Sequence, residues 1–150
     1  MRLRVICVAT LLLFSTFSLA ADTDRKHIVD APSDARSALP FSDGVLVGNT
    51  LYVAGHLGLE KTGKPPASAE EEAKLVMDSI KETVEHAGLT MDEIVTVQVF
   101  CSDLSQFDTF NKVYRTYFHD QFPARAFVGS NALLRGAKFE VMAIAVKKGM

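Results

Sequence analysis

One arginine stands where a charge is out of place. Arg125 lies inside Phe122-Pro123-Ala124-Arg125-Ala126-Phe127-Val128, a segment that otherwise reads as buried strand. Arginine is almost never buried without a partner, and its planar fork binds a carboxylate through two parallel hydrogen bonds. Spacing alone leaves two readings open: an anchor for a small carboxylate ligand, or a structural salt bridge to an Asp or Glu of the chain. Other chemistry is easier to set aside. The histidines, at 27, 56, 86 and 119, form no HExxH pair and have no cysteine at metal-ligand spacing, so no metal is expected. There is no Walker loop, no GxGxxG fingerprint and no GxSxG elbow. His86 and His119 fall near helix C-termini, where a cation suits the dipole. His56 reads as an exposed loop histidine, and Cys101 as a small buried hydrophobe at a strand end.

The elements that must position Arg125 follow from periodicity. Val45-Leu46-Val47 and Leu51-Tyr52-Val53 flank Gly48-Asn49, residues tolerant of positive φ, and predict a hairpin. Ser68 with Glu71 three residues on is a capping box. It opens a helix whose apolar stripe is Ala73, Val76, Ile80, Val84 and Ala87, with a charged opposite face, ending at Gly88. Val95, Val97 and Val99 alternate with polar residues and predict a strand buried on one face. Asp103 or Ser105 caps a second helix striped by Phe107, Phe110, Tyr114, Tyr117 and Phe118, and Pro123 stops it. Ala124 to Val128 and Phe139 to Val146 are the last two strands, and His27 to Val29 suits a short edge strand. The sum is an α+β domain with two helices on one face of a mixed sheet. The closing strand is apolar on both faces, so a second layer, such as another subunit, must cover the side the helices leave open.

The N-terminus carries a different signal. Arg2 and Arg4 precede the apolar run Val5 to Phe14, and Ser18-Leu19-Ala20 is a small-x-small cleavage pattern. This is the layout of a secretory signal peptide over residues 1–20, and the run is shorter than the ~20 apolar residues that span a bilayer. The expectation is a secreted or periplasmic protein with no membrane attachment after cleavage. Losing the two arginines moves the net charge from −2 to −4. A chain with that balance is not built to neutralise phosphates, so no nucleic-acid partner is expected. Cys7 goes with the leader, and Cys101 has no partner for a disulfide within the mature chain.

The chain resembles the RidA/YjgF family over nearly all of residues 26 to 148. The similarity runs through Ala31-Pro32, Leu39-Pro40-Phe41-Ser42, Leu51-Tyr52-Val53-Ala54-Gly55, Ala87-Gly88-Leu89 and Ile94 to Phe100. It continues through Asp103-Leu104, Phe107, Asn111, Tyr114 and Phe118, the hallmark Phe122-Pro123-Ala124-Arg125, and Glu140 to Ala145. On this resemblance residues 21–40 are a leader with the possible edge strand, and 41–150 are the family domain. It implies a chorismate-mutase-like fold and a homotrimer with clefts between subunits. It also implies hydrolysis of reactive 2-imino or 2-enamino acids to 2-keto acids and ammonia, without a cofactor. In that family the hallmark arginine, here Arg125, holds the substrate carboxylate. Main-chain groups at the position of Phe127 orient the imine. A closing-strand glutamate and backbone on the hairpin strand, here at Gly55, position the attacking water. Phe41 and Asn111 line the cleft.

This sequence departs from the family pattern at four places. Phe41 stands where relatives with clear deaminase motifs often have Tyr, Ala54 where they have Ser, and Phe127 where they have Cys. The closing-strand glutamate matches Met142, whose thioether cannot act as a base. Glu140 lies two residues earlier on the same strand face, roughly 6.6 Å away along the strand, and is the acid left to handle water. The expectations are therefore a deaminase weakened or altered in specificity, or a non-catalytic binder of small carboxylates. Ribonuclease activity fits the acidic balance poorly.

Overall fold

The computed structural model describes residues 24–29, 40–119 and 121–149. The expected signal peptide and most of the expected leader lie outside these. The strands are β1 (Arg25–Ile28), β2 (Gly44–Val47), β3 (Thr50–Leu57), β4 (Ile94–Cys101), β5 (Ala124–Gly129) and β6 (Phe139–Val146). The helices are α1 (Ala69–His86) and α2 (Phe107–Tyr114), the latter flanked by 3-10 turns at Leu104–Gln106 and Arg115–Tyr117. One six-stranded sheet has the order β1-β2-β3-β6-β4-β5. All pairings are antiparallel except β4 with β5, so the sheet is mixed.

Local chemistry explains the helices. Ser68 caps α1, its hydroxyl accepting from the Glu71 N–H at 3.4 Å. At the other end Gly88 takes φ 79°, and the Leu89 N–H reaches Val84 O at 3.1 Å, which closes the last turn. The predicted stripe is the buried one: Ala73, Val76, Ile80 and Val84 are at most 1% exposed. With Leu51, Val97, Val99, Phe110, Phe139 and Val141 they form the core between the helices and one face of the sheet. Each large apolar side chain so buried contributes roughly 1.5–3 kcal/mol.

Several expectations change. Glu72, an acid in the first turn of α1 outside the expected apolar stripe, is fully buried. Its Oε1 accepts from the N–H groups of Lys138 and Phe139, and the Lys138 ammonium lies 3.2 Å from Oε2. A buried carboxylate is tolerable when donors satisfy it, and here they tie α1 to the start of β6. Val95 is 48% exposed because the β4–β6 register shifts between Ile94 and Thr96, which turns Ile94 inward instead. His56 is not in a loop. A register shift between Val53 and His56 places an extra residue opposite β6, and His56 reaches the buried Thr83 of α1 at 3.4 Å. The segment around Arg125 is not a buried strand, because β5 is the sheet edge and Ala124, Ala126 and Val128 are exposed. β1 does occupy the opposite edge, beginning two residues and ending one residue earlier than expected. On β6, Phe139, Val141, Ala143 and Ala145 face the helices and are buried, whereas Glu140, Met142, Ile144 and Val146 stay partly exposed on the open face.

Candidate carboxylate site and its separated acid

β5 and α2 build the surroundings of Arg125. In the parallel register Arg125 pairs with Val97 and Phe127 with Val99, so both side chains point to the helix-covered face. On α2, Phe107, Asn111 and Tyr114 fall four and three residues apart, hence on one side of the helix. That side meets Arg125. The Arg125 Nη2 donates to Asn111 Oδ1 at 2.8 Å. The guanidinium carbon lies 4.5 Å from the Tyr114 ring centroid, 5.6 Å from Phe127 and 5.9 Å from Phe107. The rings support one another: Phe127 meets Phe107 and Phe110 edge-on at 5.0 and 5.5 Å, and Tyr114 lies 4.8 Å from Phe118. Cation–π contacts of this kind stabilise by about 0.5–2 kcal/mol, more as water is excluded.

The partners of Arg125 are therefore a neutral amide and three aromatic rings. Among the described residues no carboxylate pairs with it. A pocket of about 230 Å³ opens beside it, lined by Asn111, Tyr114, Arg115, Phe122, Pro123 and Arg125. The lining carries two guanidinium groups and no acid. Arg115 lies over the Phe122 ring at 5.6 Å. It was not singled out from sequence, because an arginine on an exposed helix end carries no local signal. Burial pushes the Tyr114 phenol up to about 12, against the opposing influence of the Arg125 charge. Its hydroxyl is buried with no hydrogen-bond partner among the described residues.

The other expected site residues lie elsewhere. Glu140 pairs with Phe100 and Leu57, and Met142 with Gln98, on the open face of the sheet. A side chain at Gly55 would collide with the Glu140 carboxylate, so Gly55 is the residue that lets this acid lie across β3. Met142 is 37% exposed and lines a small depression with Thr96, Gln98 and Ile144. Phe41 sits, 56% exposed, in the bend before β2. The chain thus groups Arg125, Phe127 and Asn111 on one side of the sheet, and Gly55, Glu140 and Met142 on the other. It does not bring the two groups together.

Among the described residues no cluster of His, Cys, Asp and Glu could hold a metal, and no helix is long and apolar enough to cross a membrane. Cys101 is buried at the end of β4, and burial raises its thiol pKa. His119 lies 3.5 Å from Asp92, which also accepts from its backbone N–H. These groups have structural settings.

Among the described residues, fold and site together define an α+β domain with a mixed sheet, helices on one face, and an arginine at the sheet edge with no carboxylate partner. Known proteins resemble this chain in sequence and in fold. Residues 31–147 match the family described as Endoribonuclease L-PSP. The 2-iminobutanoate/2-iminopropanoate deaminase of Bos taurus is 38% identical over 125 residues, covering 82% of this chain and 90% of its own. The Escherichia coli K12 protein of the same name is 37% identical over 123 residues, covering 79% and 96%. Among solved structures, a putative endoribonuclease from Thermotoga maritima matches with TM-score 0.74 and 35% identity, over 83% of this chain and 99% of that one. Escherichia coli TdcF with bound serine matches with TM-score 0.71 and 29% identity, over 81% and 94%. The chain belongs to the RidA/YjgF family, the family of the Endoribonuclease L-PSP description.

Proposed function

We propose that this protein is a cofactor-independent deaminase that hydrolyses reactive 2-imino and 2-enamino acids to 2-keto acids and ammonia. The deaminases among its relatives support the reaction class. The observation that carries the reading for this chain is the Arg125 guanidinium, held by the neutral Asn111 with no carboxylate partner among the described residues, beside a pocket whose lining has no acid. In the reaction a water oxygen bonds to the imine carbon and its proton passes to nitrogen. The resulting carbinolamine passes its hydroxyl proton to nitrogen and forms the C=O bond as the C–N bond breaks, releasing ammonia and leaving the keto acid. Arg125 holds the carboxylate next to the reacting carbon. Glu140, laid across Gly55 on the open face of the sheet, is the acid that orders the water in this reading.

The active assembly in this proposal is a homotrimer. Arg125 and Glu140 act on one substrate when different copies supply them, and the open face with Tyr52, Met142 and Ile144 is the surface a neighbour covers. A second reading, a binder of small carboxylates without catalysis, is favoured by one observation: Met142 stands at the position of the family glutamate and offers no base. Ammonia release from freshly generated imino acids of varied side chain separates the two. A deaminase releases ammonia faster than the uncatalysed reaction, and Arg125→Ala lowers kcat/KM by about tenfold or more. Binding of keto acids with no ammonia above background establishes the binder.

The proposed site of action is outside the cytoplasm, on the strength of the three-part N-terminus. Mass spectrometry of the protein from its host is expected to find Ala21 first. A cytoplasmic protein still beginning at Met1 overturns this.

A further inference from the structure

We infer that Asn111 is a positioning residue that fixes the Arg125 guanidinium from its edge while leaving its charge free for the ligand. This rests on the reading of Arg125 as a carboxylate anchor. A guanidinium only donates, so the Asn111 amide must present its oxygen to Nη2, and the 2.8 Å contact is a full hydrogen bond. The Tyr114 ring lies against the same guanidinium at 4.5 Å. One contact sets the position of an Nη atom, and the ring sets the plane. Together they remove rotation that an arginine on an edge strand otherwise keeps, and that rotation would have to be frozen on binding.

The identity of the residue matters as much as its place. An aspartate has the same size and would make a stronger, charge-assisted bond. It would also give Arg125 a fixed counterion, and a ligand carboxylate would then have to compete with it. The amide supplies orientation without neutralisation. A ligand carboxylate has no proton to give this oxygen, so Asn111 does not hold the carboxylate through it. It acts through the arginine.

Two variants separate orientation from charge. In the full chain, the Arg125 side-chain nitrogens are followed by NMR, and binding is measured by calorimetry with 2-oxobutanoate and with its neutral amide as probes. Wild type is expected to show resolved Arg125 Nη signals and to prefer the acid. Asn111→Ala should average those signals and weaken 2-oxobutanoate binding by about ten- to a hundredfold, leaving the neutral amide unchanged. Asn111→Asp should keep the signals resolved and still lose the preference for the acid. Circular dichroism and thermal melting establish that both variants fold. If Asn111→Ala leaves the Nη signals resolved, or weakens the acid and the amide equally, Asn111 does not position the arginine. If Asn111→Asp binds 2-oxobutanoate as well as wild type, neutrality is irrelevant and the inference fails. A wild type with resolved signals but no preference for the acid overturns instead the carboxylate reading on which it rests.

Discussion

Arg125 and Glu140 stand on opposite faces of one sheet. Arg125 pairs with Val97 beneath α2, at the β5 edge, and Glu140 pairs with Phe100 on the open side of β6. β4 lies between their strands, so two strand spacings, roughly 10 Å, separate them laterally as well. One copy cannot apply both groups to a small imino acid. If both are needed, the site spans two copies of the chain.

That geometry gives a complementation test. Arg125→Ala and Glu140→Gln chains should each be weak alone. Refolded together at equal amounts, they should regain about a quarter of the wild-type sites, because random assembly places an intact arginine against an intact glutamate that often. Light scattering should show three times the mass of one chain. No regain in mixed oligomers, or a stable monomer with full activity, would reject the shared site.

In the proposed reaction Met142 limits catalysis. Positioned acid–base groups contribute about 10²–10⁴-fold, and a thioether contributes none of it. Met142→Glu should raise kcat/KM for imino-acid hydrolysis by about tenfold or more, while Glu140→Gln lowers it. A Met142→Glu protein that folds and binds keto acids yet gains no rate would show that water handling is not what this chain lacks.

Glu72 holds the strand that carries Glu140. Its carboxylate is fully buried and accepts from two backbone N–H groups at the start of β6, with the Lys138 ammonium alongside. Glu72→Ala leaves these donors unsatisfied and should cost about 3 kcal/mol in urea denaturation. Glu72→Gln, which keeps an acceptor oxygen, should cost less. A loss within about 0.5 kcal/mol for Glu72→Ala, the scatter of ordinary surface substitutions, would show that water replaces the carboxylate without penalty.

Two tyrosines predict an alkaline limit. Burial pushes Tyr114 from the ordinary 10.0 up to about 12, and burial together with the Asp78 hydrogen bond and charge raises Tyr117 as well. The folded state thus holds these protons more tightly than the unfolded chain. Their contribution is complete below pH 10 and lost as the pH rises toward 12. Stability should fall over that interval, and Tyr114→Phe should flatten the fall. Phenolate absorbance that develops near pH 10 in the intact protein would contradict the burial account.

Much of this was legible in the residues alone. The hairpin at Gly48-Asn49, the α1 stripe and its ends, and the Phe110 and Tyr114 part of the α2 stripe depend on interactions within a few residues, so local sequence specifies them. The helix expected to run on through Tyr117 and Phe118 ends at Tyr114, and Phe107 is exposed. The run of motifs from Ala31-Pro32 through Glu140 to Ala145, with Phe122-Pro123-Ala124-Arg125 as its hallmark, was enough for the family. What sequence could not specify is how strands meet. Register shifts in β3 and β4 turned His56 toward the helix and Val95 toward solvent, and a shift of one residue reverses a side chain's face. The strand order made β5 an edge and exposed what read as buried. Glu72 is indistinguishable in sequence from its exposed neighbours Glu70 and Glu71, because its donors are 66 and 67 residues away. The surroundings of Arg125 likewise depend on what α2 places beside it. Only packing put the Asn111 amide, rather than a carboxylate, at its edge.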